Sequence, residues 1–370
     1  MPSERGGVAT PLFARRPISV LDLFRLAGPL VRLFEPEKAH ALTLAALKCG
    51  LVPKQPRHDD PILSIRLWGR DFANPVGLAA GFDKNGEVPD AMLTQGFGFV
   101  EVGSVTPRPQ PGNPQPRLFR LVKDGAVINR MGFNNQGLDA VAGRLARRRR
   151  DGIVGANLGK NKDTEDAASD YQKGVAALGP LADYLVINVS SPNTPGLRAL
   201  QGRRPLEDLV GRTRQALLAL AKPVPLLLKI APDLTDEDKR DIAEVALAGG
   251  LDGLIVTNTT IDRPATLTSA AKGETGGLSG APLFEPSTRV LRDMFALTGG
   301  RLPLVGVGGI GSAEQAYAKV RAGASLLQLY SALIYQGPAL VTRIKLGLAE
   351  LLRRDGFGSL AEAVGAEHRA

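Results

Sequence analysis

Residues 303–331 read PLVGVGGIGSAEQAYAKVRAGASLLQLYS and have the pattern of one complete strand–helix–strand unit. The runs Pro303–Val307 and Ser325–Leu329 are short and apolar, and a helical stretch separates them. Continuous apolar strands that alternate with helices are typical of a parallel sheet covered on both faces. This unit therefore predicts an α/β protein.

Six further runs of the same kind precede this unit. They are Pro75–Ala79, Phe99–Val102, Ile153–Asn157, Tyr184–Val189, Pro225–Ile230 and Gly253–Thr257. Eight strands that alternate with helices predict a (β/α)8 TIM barrel, which we place at residues 67–355. An open, doubly wound sheet is the alternative, because a count of strands made from sequence is easily wrong by one.

The segments on either side of the barrel have other patterns. Residues 18–52 predict a helical hairpin, with one helix over Ile18–Phe34 that is kinked or split at Gly28-Pro29. The second helix has Pro36 in its first turn and covers His40–Lys48. We expect a disordered N-terminus at 1–17, a Pro-rich and charged connector at 53–66, and a C-terminal tail at 356–370.

Two long insertions interrupt the barrel pattern. Pro107–Met131 is rich in Pro, Gly and Arg and predicts a hairpin or a lid over the top of the barrel. Ser190–Pro205 predicts a long loop after the fourth strand. Both insertions follow strands, so both are expected at the end of the barrel where such folds carry their sites.

The composition excludes several kinds of site. The 370 residues include one cysteine, Cys49, and three histidines, at positions 40, 58 and 368. No disulfide framework, cysteine-ligated cluster or histidine-rich metal site can be built from this set within the chain. We therefore predict no catalytic metal.

Charge and hydropathy favour a protein that stays on the cytoplasmic side. No apolar run approaches the roughly 18 residues that span a bilayer, and the first residues lack the order of a secretory signal. Their arginines, without a strong apolar stretch, leave a transit peptide as the alternative. The net charge is +9. The arginine run at 147–150 has no interleaved aromatic residues, so it predicts a solvated helix end and no nucleic-acid site.

Polar residues follow the predicted strands one after another. They are Gly81-Phe82-Asp83-Lys84, Gly103-Ser104, Asn157, Asn188, Lys229, Thr257-Asn258-Thr259, Gly308-Gly309 and Tyr330-Ser331. Because the C-terminal ends of barrel strands meet at one face, these side chains are expected to surround one site. Turn formation alone does not explain lysines at these positions, since lysine is almost never buried without a partner.

The loop Gly306–Ser312, GVGGIGS, contains the pattern G-x-G-x-x-G. It is a poor dinucleotide fingerprint, because no acidic residue follows about 20 positions later and the loop follows the seventh strand. We interpret it as the phosphate-binding loop that barrels build after strands 7 and 8.

Lys84 and Lys229 have three candidate roles. Each is a candidate Schiff-base nucleophile, phosphate anchor, or positive charge beside an electron-rich ring. No feature of the sequence marks either lysine as desolvated, so electrostatic roles are favoured.

Seven motifs together resemble a known family. They are AAGFDKNG (79–86), VEVGSVTPRPQPGNPQPR (100–117), INRMGFNN (128–135), INVSSPNTPGLR (187–198), KIAPDL (229–234), VTNTT (256–260) and GGLSGAPL (276–283). In this order they resemble the class 2, quinone-dependent dihydroorotate dehydrogenases over nearly all of residues 20–355. The resemblance implies an FMN-containing barrel that oxidises (S)-dihydroorotate to orotate in pyrimidine (UMP) biosynthesis and passes the electrons to a membrane quinone.

The resemblance also implies which residues contact each molecule. For FMN, one non-covalent molecule per chain, they are Ala80, Gly81, Phe82, Asp83, Lys84, Ser104, Asn157, Asn188, Lys229, Thr257, Gly280, Gly309, Tyr330 and Ser331. For orotate they are Lys84, Asn129, Arg130, Met131, Gly132, Phe133, Asn188, Asn193, Asn258 and Thr259. Asparagine amides suit a planar, amide-rich ring, and Lys229 suits the negative charge of a reduced flavin. Many family members have Thr at the position of Ser104 and Ser at that of Thr259, and both exchanges keep a hydroxyl.

Ser191 is implied as the base that takes the proton from C5 while a hydride leaves C6. A serine is a weak base, so positioning and a relay through Thr194 or water have to assist it. Without the resemblance, Ser191 is a turn-forming serine before Pro192. Class 1 enzymes use a cysteine in this loop, whereas the sole cysteine here, Cys49, lies in the helical extension.

The resemblance assigns the N-terminal hairpin to the quinone and the membrane. It implies peripheral binding at the cytoplasmic side of the cell membrane, with His40 and Arg120 as candidate quinone contacts. A hairpin that only caps the barrel is the alternative. Other FMN barrel oxidoreductases that act on pyrimidine-like rings with fumarate or NAD, and a non-catalytic flavin-binding protein, remain alternatives for the whole chain. No obligate protein partner is inferred.

Overall fold

A computed structural model describes residues 24–56 and 59–369, without the side chains of Arg25 and Leu26. In this part of the chain the strands are β1 (Ile65–Leu67), β2 (Arg70–Phe72), β3 (Val76–Leu78), β4 (Phe99–Val105), β5 (Leu118–Leu121), β6 (Ala126–Asn129), β7 (Ile153–Leu158), β8 (Tyr184–Asn188), β9 (Leu226–Ile230), β10 (Gly253–Val256), β11 (Gly277–Gly280), β12 (Leu304–Val307) and β13 (Ala324–Leu329). The helices are α1 (Phe24–Val31), α2 (Pro36–Lys48), α3 (Pro89–Leu93), α4 (Gly137–Ala146), α5 (Ala167–Leu178), α6 (Arg203–Leu218), α7 (Asp236–Ala248), α8 (Phe284–Thr298), α9 (Ala313–Arg321), α10 (Ser331–Gln336), α11 (Ala339–Arg354) and α12 (Leu360–Ala363).

Eight parallel strands form a closed barrel in the order β3-β4-β7-β8-β9-β10-β12-β13. The last strand pairs with the first, with Leu327 opposite Val76, so the sheet has no free edge. These eight strands are the eight apolar runs of the sequence, and the predicted (β/α)8 barrel is confirmed. The open, doubly wound alternative is wrong because β13 closes onto β3.

The short ribbon of β1 and β2 closes the N-terminal end of the barrel. Phe72 on β2 is buried, and its ring meets that of Phe99 edge to face at a centroid distance of 5.5 Å. The indole N–H of Trp68 donates to the carbonyl of Asp252 at 2.7 Å. Since this end is filled with aromatic side chains, only the C-terminal ends of the strands are available for a site.

An antiparallel sheet of β11, β6 and β5, which we call the lid sheet, lies above the barrel, outside the closed sheet. The hairpin predicted for Pro107–Met131 is present as β5 and β6, which pair with Leu118 opposite Asn129. The third strand, β11, was not expected from the sequence. It is four residues long and carries two glycines, so it has no alternation of apolar and polar residues.

The two N-terminal helices of the described chain are α1 and α2. The predicted first helix spans Ile18–Phe34, of which residues 18–23 lie outside the described part. Helix α1 continues through Gly28-Pro29 and is not split there. Helix α2 begins at Pro36, because the carboxylate of Glu35 caps it by accepting from the N–H of Glu37 at 3.1 Å. No helix among the described residues is long and apolar enough to cross a bilayer.

The hairpin is attached to the lid sheet by two arginines. Arg117 donates from Nε to both carboxylate oxygens of Glu37 on α2, each at 3.1 Å. Arg120 on β5 donates to the carbonyl oxygens of Arg32 and Phe34, at the end of α1. These contacts fix the hairpin beside the barrel mouth.

The segment predicted as a C-terminal tail, 356–370, includes a packed helix. Leu360 and Ala363 on α12 are buried and belong to the main hydrophobic core. The predicted disordered N-terminus, 1–17, and its limit at 17/18 lie outside the described residues. The domain limits at 52/53, 66/67 and 355/356 stay predictions.

Candidate active site

A cavity of about 450 Å³ opens at the C-terminal ends of the barrel strands. The lid sheet, the first turns of α2 and the short helix α10 complete its wall. A cleft of this size suits a small organic ligand. The chain therefore has its candidate site where the barrel fold predicts it.

Most of the residues predicted from the sequence line this cavity. They are His40, Ala80, Gly81, Lys84, Ser104, Asn129, Met131, Gly132, Phe133, Asn188, Ser191, Asn193, Thr257, Lys229, Asn258, Thr259, Gly280, Gly309, Tyr330 and Ser331. They come from the ends of the barrel strands and the loops that follow them, from the lid sheet, from α2 and from the start of α10. The fold thus brings together residues that are up to 291 positions apart in sequence (40 to 331).

Three of the predicted flavin residues lie behind the wall instead of on it. Asp83 is buried and accepts from the backbone N–H groups of Glu87 and Val88, both at 2.8 Å, so it shapes the first-strand loop. The ring of Phe82 packs edge to face against that of Tyr330 at 5.6 Å. Asn157 is fully buried beneath Ser104. Each supports a residue that does reach the cavity.

Two predicted contact residues point elsewhere. Arg130 forms an ion pair with Glu274 at 2.7 Å, and its guanidinium lies over the ring of Phe119. The guanidinium of Arg120 is occupied by the two carbonyl groups at the end of α1. A sequence motif gives the position of an arginine but not the direction of its long side chain, which explains both differences.

The floor of the cavity is a connected network of amides and hydroxyls. The amide nitrogen of Asn188 donates to Ser104 Oγ at 2.9 Å and to Asn157 Oδ1 at 3.1 Å. Its oxygen accepts from the hydroxyl of Ser190 at 2.8 Å. Asn258 donates to the same Ser190 hydroxyl oxygen at 2.9 Å. Because each amide end has a defined partner, the floor presents donors and acceptors in fixed places.

A buried carboxylate lies beneath this network. Glu101 on β4 is fully buried and accepts from Asn157 Nδ2 at 2.8 Å and from Gln328 Nε2 at 2.7 Å. The hydroxyl of Tyr184 also donates to it, at 3.2 Å. These donors hold the amide of Asn157 with its oxygen toward the cavity side.

The two lysines of the site differ in their partners. Burial lowers the pKa of Lys84 to about 8, although the carboxylate of Glu37 opposes this shift, and its Nζ donates to the carbonyl of Gly81 at 2.6 Å. Burial also lowers the pKa of Lys229, against the opposing charge of Glu101. Within the described chain no hydrogen bond or ion pair of the Lys229 side chain is found, although only 5% of the residue is exposed. Its ammonium group is available to a ligand in the cavity.

Ser191 lies on the wall, in the loop after β8. Its hydroxyl oxygen accepts from the N–H of Asn193 at 3.3 Å, and no histidine or carboxylate of the described residues is hydrogen-bonded to it. The hydroxyl of Thr194 is buried without a partner in the same part of the chain. Arg198 holds the loop by donating to the carbonyl oxygens of Ser190 at 2.9 Å and Thr259 at 2.8 Å.

The glycine-rich end of the cavity leaves room for a ligand to approach the backbone. Gly308 and Gly309 have φ values of 110° and 74°, which residues with a side chain rarely adopt. A Cβ atom on Gly309 would lie 2.5 Å from the backbone of Phe284. Gly311 also lines the cavity. The loop predicted to bind a phosphate therefore forms part of the wall.

Helix α2 contributes a further part of the cavity wall through Glu37 and His40. The ring of His40 meets that of Phe82 edge to face at 5.2 Å and lies 6.5 Å from that of Tyr330. Burial lowers the pKa of His40 to about 4, so the imidazole is neutral at physiological pH. Next to it, Arg117 lowers the pKa of Glu37, which is hydrogen-bonded to its guanidinium.

Several residues of the site were not predicted from the sequence. They are Glu37, Glu101, Arg117, Arg198, Gln328 and Tyr335. Glu101 and Gln328 carry a signal that would have found them, because each interrupts an apolar strand run that is buried on both faces. Glu37, Arg117 and Arg198 have no such signal, since their partners are distant in sequence.

Comparisons with known proteins agree on one family. The sequence profile described as dihydroorotate dehydrogenase matches residues 62–352. A dihydroorotate dehydrogenase (quinone) of Rhodospirillum rubrum is 65% identical over 350 residues, which cover 94% of this chain and 95% of that protein. The mitochondrial dihydroorotate dehydrogenase (quinone) of Mus musculus is 54% identical over 355 residues, or 93% of this chain and 90% of that protein. The ligand-free crystal structure of DHODH from Eimeria tenella superposes with a TM-score of 0.88 at 47% identity, over 90% of this chain and all of that one.

Proposed function

The chain belongs to the dihydroorotate dehydrogenase family, and on that premise we propose how its residues oxidise dihydroorotate to orotate with a quinone as the electron acceptor. The relatives that match over nearly the whole chain are quinone-dependent enzymes. The observation that carries the proposal is the cavity itself. It joins a glycine-rich anion loop, an unpaired buried lysine, a set of asparagine amides and Ser191 in one space.

We propose FMN as the cofactor, and three observations support the fit. Lys229 is buried without a partner among the described residues, as is the amide oxygen of Gln328. Gly308, Gly309 and Gly311 line the cavity, so no side chain of these three residues covers the backbone there. We propose that Gly280, Gly309, Tyr330 and Ser331 hold the phosphate and that Lys229 faces the flavin ring. When bound, FMN supplies the acceptor for the substrate hydride and the donor of electrons to the quinone.

The substrate is proposed to bind between Lys84 and the asparagine side chains. Asn193 Nδ2 donates to Asn129 Oδ1 at 3.3 Å, so the loop after β8 and the lid sheet approach each other across the cavity. Their remaining donors and acceptors, with those of Asn258, match the ring N–H and C=O groups of dihydroorotate. The ammonium group of Lys84 provides the counter-charge for the substrate carboxylate.

Ser191 is proposed to take the proton from C5 of the substrate. Ser191 lines the cavity, and its hydroxyl oxygen accepts from the N–H of Asn193. Loss of the C5 proton then accompanies departure of the hydride from C6. The unpartnered hydroxyl of Thr194 offers a relay: it would accept the proton from Ser191 and release its own proton to water.

The hairpin of α1 and α2 is proposed to bind the quinone and the cytoplasmic face of the cell membrane. Large apolar side chains of the hairpin are exposed to solvent, namely Leu30, Leu33, Phe34 and Leu42. The neutral imidazole of His40 lies between this surface and the cavity. We propose that His40 contacts the quinone head group, and that Arg120 acts on the entrance by holding the end of α1.

Steady-state turnover tests the proposed function. Purified protein should release FMN on heating and reduce a long-tailed ubiquinone with dihydroorotate as the electron donor. The same protein should give little turnover with fumarate or NAD in place of the quinone. Turnover with fumarate or NAD alone would reassign the acceptor, and a flavin-loaded protein inert to dihydroorotate would contradict the substrate.

A further inference from the structure

Lys319 on α9 is a buried cation that the proposed mechanism does not use. It is fully buried, and its ammonium group donates to Ser287 Oγ at 2.9 Å and to Thr288 Oγ1 at 3.0 Å. It also lies 5.4 Å from the ring centroid of Phe284. Among the residues that the structure describes, no carboxylate forms an ion pair with it, and the exposed Glu285 acts only at longer range.

A second buried lysine has its charge compensated by a carboxylate, as is usual for a buried cation. Lys345 on α11 is also excluded from solvent, but its Nζ forms an ion pair with Asp59 at 2.8 Å. Burial of an unpaired charge is costly, and lysine is rarely buried without a partner. Consistent with this, burial lowers the pKa of Lys319 to about 7. Lys319 is therefore a buried cation without a negatively charged partner among the described residues.

Lys319 lies directly beneath the glycine-rich end of the cavity. A Cβ atom on Gly306 would be 3.2 Å from its Cδ, and one on Gly308 would be 2.7 Å from Ser287 Oγ. Ser287 donates its hydroxyl hydrogen to the carbonyl of Gly308 or of Phe284, both at 3.1 Å. One layer of side chains therefore separates the ammonium group from the cavity wall at Gly308 and Gly309.

A chain of hydrogen bonds connects the ammonium group of Lys319 to the cavity wall. Lys319 donates to the Ser287 oxygen, which leaves the serine hydrogen free to point at the carbonyl of Gly308. In a trans peptide the N–H of Gly309 points opposite to that carbonyl. No acceptor for this N–H is found among the described groups. A chain of hydrogen bonds that starts at a cation polarises each member in turn, so the Gly309 N–H becomes a stronger donor.

We propose that Lys319 is the buried counter-charge for the phosphate of the cofactor, acting as a positioning residue through Ser287 and the Gly308–Gly309 peptide. The proposal rests on FMN being the cofactor, as proposed above. It predicts that Lys319 increases the preference of the protein for a phosphorylated flavin over one without phosphate. A purely structural lysine would not affect that discrimination.

A flavin exchange measurement tests this role. FMN-loaded holoenzyme is equilibrated with increasing riboflavin, which lacks the phosphate, and the FMN that remains bound is quantified after desalting. Lys319→Met should reduce the preference for FMN over riboflavin roughly tenfold, the scale expected for loss of one nearby unit charge in a poorly solvated site. Lys319→Arg, which keeps the charge, should retain most of the preference. Lys345→Met, the matched control, should leave the preference unchanged.

The outcomes separate the two proposals. A native protein with no preference for FMN over riboflavin contradicts the proposed cofactor. A native preference that Lys319→Met leaves intact overturns the role of Lys319 alone. If neither Lys319 variant folds, Ser287→Ala decides, since it breaks the link to Gly308. A reduced FMN preference in Ser287→Ala supports the proposal, and an unchanged preference overturns it.

Discussion

Asn188 is the residue at which strand, loop and cavity meet. It ends β8, and its amide connects the Ser104 hydroxyl and the Asn157 amide on one side with the Ser190 hydroxyl on the other. The backbone carbonyl of Asn188 accepts from the buried hydroxyl of Tyr171 at 2.7 Å, which fixes the strand end. The orientation of the whole floor then follows from Glu101, because a carboxylate can only accept from Asn157.

Ser191→Ala should slow the reduction of bound flavin by dihydroorotate. Loss of a general base typically costs 10²–10⁴-fold, and we expect an effect of roughly this size in anaerobic stopped-flow measurements. Ser191→Cys should retain more activity than the alanine variant. Both variants should bind FMN and orotate as the native protein does, since the Ser191 hydroxyl has a single weak hydrogen bond. A near-native rate for the alanine variant would return Ser191 to a turn-forming role.

Orotate binding should depend on pH through Lys84. Burial lowers the pKa of this lysine to about 8, so it is charged below pH 8 and loses its proton as the pH rises through that value. The attraction for the orotate carboxylate is present below pH 8 and is lost above it. The dissociation constant of orotate, measured from the flavin absorbance at equilibrium, should therefore be constant from pH 6 to 7 and increase between pH 8 and 9.

The matched variant for this prediction is Lys84→Met. It should bind orotate weakly at every pH and show no increase between pH 8 and 9, because the titrating group is gone. Lys345→Met, which removes a buried lysine away from the cavity, should keep the native pH dependence. If the dissociation constant of orotate increased between pH 8 and 9 in Lys84→Met as it does in the native protein, the titrating group would be another residue.

At the scale of elements, the N-terminal hairpin is joined to the barrel by polar contacts and leaves its apolar residues exposed. Arg117 and Arg120 hold α2 and the end of α1, whereas Leu33 is 81% exposed. Contiguous exposed apolar side chains mark a surface for binding, and here the proposed ligand is the bilayer.

Leu33→Asp should weaken binding to vesicles of phosphatidylglycerol and phosphatidylcholine at least about tenfold, the effect of losing one buried leucine side chain. The control is Leu218→Asp, because Leu218 is also well exposed, at 61%, but lies at the end of α6. That variant should bind vesicles as the native protein does. Equal binding by native protein and Leu33→Asp would leave the hairpin as a cap on the barrel.

The elements that the sequence predicted are those with a strong local pattern. The eight barrel strands are continuous apolar runs, and all eight are present. The ribbon of β1 and β2 and the lid strand β11 were not predicted, because none of them is a continuous apolar run: β1 and β2 carry charged residues, and β11 carries two glycines. Helix α12 was predicted as tail, since four residues of mixed composition give no helical periodicity.

At the scale of the molecule, the barrel decides which distant residues become neighbours. Residues at strand ends were predictable as a group, because the topology alone places them at one face. The roles of Glu37 and Lys319 were not predictable in this way. Glu37 is positioned by the docking of the N-terminal hairpin, and Lys319 by the packing of α9 on α8. The position of Arg130 in its motif likewise did not predict where its side chain points, because its partner Glu274 is 144 residues away.

The most direct test of the whole account is to follow the two half-reactions on one sample. Under anaerobic conditions, dihydroorotate should bleach the flavin absorbance of the purified protein, and orotate should not. Addition of a long-tailed ubiquinone should then restore the oxidised spectrum, with one orotate formed per quinone reduced. A flavin that dihydroorotate does not bleach, or a bleached flavin that fumarate or NAD reoxidises while the quinone does not, would contradict the account.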